Sequence, residues 1–389
     1  MTTDLAIAPT QVAFQASWPD ALNPDLQSTC SKVVELAWLI LSIVIFPIGL
    51  ARLAAYGLRL LVSCIIMPGS LCDEEVARAE GQTLLSNFPQ QRRIKITSPD
   101  GVELDAVLFR GLEKKKVIVC GLGNCQSWEQ ISEGAIRLLL STGASVLMFN
   151  PRGIVDSKGY KDFSKLELDV YAVSDYLIKE EGFDPEDLLY YAFSLSGGYM
   201  IEGAALVQEQ YPEKKIKAIS RCSFATLSKA AEELAPNILR SIGVCTCCAG
   251  FLGQVGGFLI RLVSAEIDSK TAWDKLKGKK CVVYSKGDET VLYAASLHQA
   301  IKLDNQGEVT QIKLKCNDLK GDPDCLIPGW GSHCEFTLCG AVAILEEMTK
   351  LLELDVSDRL LALQIKIEET HPKCLCKKEM KIIPTTTAA

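Results

Sequence analysis

The chain has 389 residues, 48% of them hydrophobic and 23% charged, and a formal net charge of −7. That length and mixture give one large α/β-sized domain with additional segments, and exclude a disordered or fibrous chain. The acidic balance, with no arginine-rich stripe and no zinc-finger spacing, excludes nucleic acid as the main partner.

Residues 1–31 are polar, proline-containing and aperiodic, which predicts a flexible arm. Residues 1–18 lack a basic stretch followed by an apolar run, so no cleavable secretory signal is expected. There are 16 cysteines. Most, such as Cys64, Cys120, Cys222 and Cys281, lie inside apolar stretches, where free cysteine packs as a small hydrophobe. This predicts a reducing compartment. Cys245 and Cys248 have C-x2-C spacing without a second pair, and Cys374 and Cys376 are spaced too tightly with only His371 nearby. Neither place reads as a structural metal site, and no cofactor is implied.

Residues 32–72 form an apolar segment. Its first run, 36–51, is uncharged but interrupted by Pro47 and Gly49, and it falls short of the ~20 residues that span a bilayer. Its second run, 60–72, follows Arg52 and Arg59, which lie seven apart on one helical face. Three readings compete: a short helical hairpin in a membrane, amphipathic helices in the interface with both arginines at headgroup level, or a helical hairpin packed on the domain. Membrane association, at the cytoplasmic face, is the expectation.

From about Arg92 to residue 354, strands and helices alternate. Residues 93–97 and 104–109 flank the turn Ser98-Pro99-Asp100-Gly101, a hairpin signal. Strands are then predicted at 117–120, 145–149, 188–193, 216–221, 281–285 and 309–315. Helices are predicted at 131–141, 166–181, 199–206 and 336–352. Continuous apolar strands alternating with helices imply a mostly parallel sheet covered on both faces. Residues 227–277 interrupt the alternation with helical character and predict a cap. Residues 355–389 read as a C-terminal helix and a Cys/Lys-rich tail.

The stretch Tyr190-Tyr191-Ala192-Phe193-Ser194-Leu195-Ser196-Gly197-Gly198 joins a buried strand to a helix through a serine among small residues. That is the layout of a nucleophile elbow, although Ala192 and Ser196 stand where glycines are usual; a Ser/Gly-rich loop is the bland alternative. A serine nucleophile needs a base and an acid that orients the base. Of three histidines, His298 sits in a helical run and His371 in the tail. His333 follows the last strand and precedes the last helix, where a base-bearing loop belongs. Asp288 follows a buried strand and Gly287, with Glu289 as its neighbour and alternative. The Gly121-Leu122-Gly123 loop after a short strand offers the Leu122 N–H as an oxyanion donor, paired with the Leu195 N–H.

Several motifs in order resemble the α/β-hydrolase superfamily over roughly residues 92–354. Phe149-Asn150-Pro151-Arg152-Gly153, continuing to Ser157 and Gly159, resembles its R-G-x-G-x-S-x-G loop. Asp184-Pro185-Glu186 resembles the approach to its elbow, a register that selects Ser194 over Ser196. Residues 221–227 and Gly287-Asp288-Glu289 resemble its later loops. The segment 46–53 and the cysteine richness also resemble a group of chlamydial hydrolase-like proteins. The resemblance implies an α/β-hydrolase fold and a serine hydrolase of esterase or lipase type, with Ser194, His333 and Asp288 as triad and a small acyl or lipid-like substrate. Departures stand against it: Cys120 replaces a common histidine, and Ile154-Val155 replaces x-Gly after Arg152-Gly153. An inactive hydrolase fold serving as a membrane-associated binding or effector protein is the alternative.

Overall fold

The computed structural model describes residues 36–41, 48–66, 72–124, 126–262, 266–286, 288, 290–301, 309–314, 338–354 and 382–383. The predicted arm at 1–31, Glu289, His333, and the tail cysteines with His371 lie outside them.

Helix α1 (Ile48–Ile66) is followed by α2 (Glu74–Ser86), which Asp73 caps by accepting from the Glu75 and Val76 amides. Strands β1 (Gln91–Thr97) and β2 (Glu103–Phe109) form the expected hairpin. Then come β3 (Glu113–Cys120), α3 (Glu133–Leu140), β4 (Ala144–Phe149), α4 (Leu166–Lys179), β5 (Leu188–Phe193), α5 (Ser196–Gln210) and β6 (Lys217–Arg221). The segment expected as a cap holds α6 (Leu227–Ser241), α7 (Thr246–Leu262) and α8 (Ser269–Lys275). The chain returns through β7 (Lys280–Ser285), the short α9 (Leu297–Ala300), β8 (Val309–Leu314), α10 (Leu338–Leu352) and the two-residue β9 (Ile382–Ile383).

Strand order is β1-β2-β4-β3-β5-β6-β7-β8-β9. The run from β4 to β8 is parallel, and the pairs β1/β2, β2/β4 and β8/β9 are antiparallel. Strands β4, β5 and β7 are buried at every residue, as a parallel sheet covered on both faces requires. In β5 the period of two divides the side chains. Leu188, Tyr190 and Ala192 join one core with α4 and α5. Leu189, Tyr191 and Phe193 join the other with α2, α3 and α10.

After β3 the chain crosses to β4 on one side. After β4 it returns to β5 on the other side of β3, with α3 and α4 on opposite faces. The order therefore reverses between β3 and β5. The crevice at the carboxyl ends of two such strands is where open α/β sheets place their ligands. The loop bearing Leu122 and the turn bearing Ser194 both emerge there.

Helix α2 was not foreseen. Its Leu84 and the following Phe88 are buried with Phe109, and the Phe88 and Phe109 rings meet edge-on at 5.1 Å. The packed unit therefore begins before Arg92.

Among the described residues no helix is long and apolar enough to cross a membrane. Residues 36–41 form a short helical piece. Helix α1 buries Arg59 and Ser63 against the domain, while Arg52 stays exposed. Arg59 is 8% exposed and pairs with Asp162 at 3.2 Å, and the Ser63 hydroxyl accepts from the Phe163 amide at 3.1 Å. Leu36, Trp38, Ile40, Leu41, Leu50 and Leu53 remain exposed.

In the cap, α6 and α7 form an antiparallel pair that glycines bring close. A Cβ on Gly253 would lie 2.7 Å from Pro236 Cγ, and one on Gly257 2.5 Å from Glu232 Cγ. Ile238, Ile242, Phe251, Leu252, Phe258 and Leu262 face outward.

Candidate active site

Ser194 sits between the end of β5 and the start of α5 with φ of +56°, a conformation that costs a non-glycine residue about 1–2 kcal/mol. Its amide donates to the Arg221 carbonyl at 2.9 Å. The strained turn of a nucleophile elbow is thus present although its usual glycines are not. Ser196 behaves differently. Its hydroxyl is fully buried, accepts from the Phe193 amide and contacts the Phe193 carbonyl, each at 2.8 Å. It clamps the turn from inside.

The close approach that the elbow needs falls on other glycines. A Cβ on Gly197 would lie 2.0 Å from Ser223 Oγ and 2.2 Å from Ser223 Cβ, and one on Gly121 2.7 Å from Ser196 Oγ. Because Ser223 Cβ cannot move without its backbone, Gly197→Ala is expected to destabilise the fold by about 2–3 kcal/mol. The denaturant midpoint reads this, and an unchanged midpoint would contradict the packing described.

Leu122 and Leu195 flank the turn and are both buried. The Gly123 amide donates to Gln126 Oε1 at 3.1 Å. Burial raises the Tyr199 phenol far above its ordinary range, so it stays neutral. Tyr199 was not singled out from sequence, where it reads only as an elbow-helix residue.

Asp288 follows β7, is 5% exposed, and its Oδ1 accepts from the Thr290 and Val291 amides, each at 2.9 Å. Ser194 and Asp288 follow the carboxyl ends of β5 and β7, parallel strands with β6 between them. His333 lies outside the described residues. His298 is half-buried, as expected. Its ring stacks on Tyr284 at 3.5 Å between centroids, its Nε2 meets Gln311 Oε1 at 3.1 Å, and burial lowers its pKa.

The loop after β4 supports the edge of the crevice. Val155, where the resemblance leads one to expect glycine, takes φ of +50°. Asp156 pairs with Arg78 at 2.8 Å and with Arg93, and Lys95 Nζ donates to its carbonyl at 2.9 Å. Arg152 is 2% exposed and donates to Asp169 and Asp100.

Behind the elbow helix, Glu167, Glu202, Glu266 and Asp268 line a cavity of about 270 Å³. Burial, then the Glu167 charge, pushes the Glu202 carboxyl up to about 8, while its Oε1 accepts from the Asp268 amide at 2.8 Å. A raised folded-state pKa gives stability that is present below about 4.5 and lost as pH rises through about 8. Glu202→Gln keeps the acceptor and removes the ionisation. It is therefore expected to gain on the order of 2 kcal/mol over the parent between pH 5 and pH 9. Parallel curves in denaturant titrations at the two pH values would refute this.

A family model described as Chlamydia CHLPS protein (DUF818) matches residues 10–304. The phosphatidylserine lipase ABHD16A of Bos taurus is 31% identical over 169 residues, 42% of this chain and 29% of that protein. The chain thus matches less than a third of the length of the curated relatives. Among solved structures, the Pyrococcus furiosus esterase Pf2001 is 18% identical with a TM-score of 0.45, covering 60% of this chain and 83% of that one. An α/β hydrolase from Vibrio vulnificus is 16% identical with a TM-score of 0.47, covering 60% and 78%.

Proposed function

The chain belongs to the Chlamydia CHLPS protein (DUF818) family, within the α/β-hydrolase superfamily, and from that premise we propose that it is a serine hydrolase of esterase or lipase type. The observation that carries the reading is the non-glycine residue Ser194 held at φ of +56° at the switch point of the sheet. Such strain persists only where the surroundings impose it, and it clusters at functional sites.

In this reading the Ser194 hydroxyl attacks an acyl carbonyl and His333 takes its proton. Asp288 orients His333, with its own carboxylate fixed by two amides. The Leu122 and Leu195 amides receive the oxyanion. His333 returns the proton to the leaving alcohol or thiol, and water then hydrolyses the acyl-enzyme. The matched relative's name, phosphatidylserine lipase, and the outward apolar residues of the cap and of 36–53 favour a lipid-like acyl ester met at a membrane surface.

The test is labelling of the intact, folded chain by a fluorophosphonate. Competition by phosphatidylserine vesicles is then compared with competition by a water-soluble acyl ester. Labelling that the vesicles suppress at lower ester concentration is expected. A folded chain that takes no label is a binding protein, and the enzyme reading fails.

A further inference from the structure

The turn between α6 and α7 holds three thiols. Gly243, at φ of +92°, ends α6, with its amide on the Arg240 carbonyl and the Val244 amide on the Leu239 carbonyl. The chain reverses and enters α7 at Thr246, with the Ala249 amide on the Cys245 carbonyl. The first turn of a helix brings residues at i, i+2 and i+3 to one end of its axis, so Cys245, Cys247 and Cys248 converge. Their sulfurs all lie within 4.8 Å of one another, that of Cys245 3.2 Å from that of Cys247, and all three residues are exposed. Among the described residues this is the one group of three or more metal-ligating side chains so placed.

We propose that Cys245, Cys247 and Cys248 form a binding site for one thiophilic d10 metal ion, Zn²⁺ or Cu⁺, at the tip of the cap. Three sulfurs ~2.3 Å from a shared ion stand ~3.8 Å apart, a spacing the turn already approximates. Thiolate is the ligand that selects these ions over hard cations. The start of α7 supplies first-turn amides and the positive end of a helix dipole, which favour thiolate. Each thiol still protonated gives its proton to solvent as the metal binds. In this proposal Cys247 supplies the third ligand from within the C-x2-C spacing of Cys245 and Cys248. All three ligands fall within four residues, so the ion does not cross-link the fold. Its remaining position faces solvent.

The reduced full-length chain and C245S/C247S/C248S are titrated anaerobically with Cd²⁺ as a spectroscopic probe, and with Zn²⁺ and Cu⁺ in separate arms. The intact chain is expected to take up one equivalent more than the triple variant. The difference should show sulfur-to-cadmium charge-transfer absorption and proton release, and the tighter of the other two arms identifies the ion. Because the three side chains are exposed, the variant is expected to keep the circular dichroism of the parent. Equal uptake and equal absorption by the two proteins would overturn the proposal, as would a disulfide among the three thiols that persists under the reducing conditions.

Discussion

Ser194→Ala is expected to abolish fluorophosphonate labelling and to lower acyl-ester hydrolysis by about 10⁴–10⁶-fold, while Ser196→Ala keeps the label. The two hydroxyls are two residues apart and chemically identical, so the difference comes from backbone and burial. Ser194 occupies the left-handed turn at the carboxyl end of β5. The Ser196 hydroxyl is bonded to the Phe193 backbone and has no exposure. Removing it strands a buried amide, which costs about 1–3 kcal/mol of stability without removing a nucleophile. His333→Ala is expected to act through the same step and to match Ser194→Ala, because triad members function as a unit. Label retained in Ser194→Ala and lost in a folded Ser196→Ala would reverse the assignment.

Arg152→Met is expected to destabilise the fold by about 3–5 kcal/mol, the largest stability effect of any substitution considered. The guanidinium joins three places far apart in sequence. Its Nε and Nη2 donate to Asp169 Oδ1 at 3.0 and 2.7 Å, and its Nη1 to Asp100 Oδ2 at 2.7 Å. Asp169 has no exposure, and Asp100 lies in the turn of the β1–β2 hairpin. Methionine fills most of the space but leaves buried Asp169 without the Arg152 cation and Asp100 with Lys165 at 3.7 Å. Burial alone would raise the Asp100 carboxyl, and Arg152 outweighs it to hold the group at about 2. The depressed pKa gives stability that is present above about 3.8 and lost as pH falls through about 2. Arg152→Met should lose that acid-side window, and Asp100→Asn with Asp169→Asn in the same chain should recover much of the loss. Chemical denaturation at neutral and acid pH reads both effects, and a midpoint within experimental scatter of the parent would refute them.

The central sheet was legible because its strands are continuous apolar runs. The expected strand at 188–193 is β5, and the neighbouring strands differ from expectation by a few residues at their ends. Helix α2 was hidden because its sequence, EEVARAEGQTLLS, has a narrow apolar stripe and a glycine at 81. That glycine is needed because a Cβ there would lie 2.6 Å from Glu129 Cγ, a contact 48 residues away. The apolar segment misled for a related reason. Arg59 reads as a headgroup ligand when its helix is considered alone, and only the fold brings Asp162 to it. Within the site, the strained turn at Ser194 and the order of the strands could be read from sequence. The close approach of Gly121 to Ser196 could not, since it joins residues brought together only by the reversal between β3 and β5.

Ser196 also bears on how such chains are found. A search pattern that demands glycine on both sides of the serine passes over this turn. The steric requirement it encodes is met at other positions: a buried Ala192, a hydroxyl at 196 that satisfies the Phe193 amide, and glycines at 121 and 197. A pattern written on those four positions describes the space the turn needs, and it gathers sequences in which the familiar glycines have drifted away while the geometry has stayed.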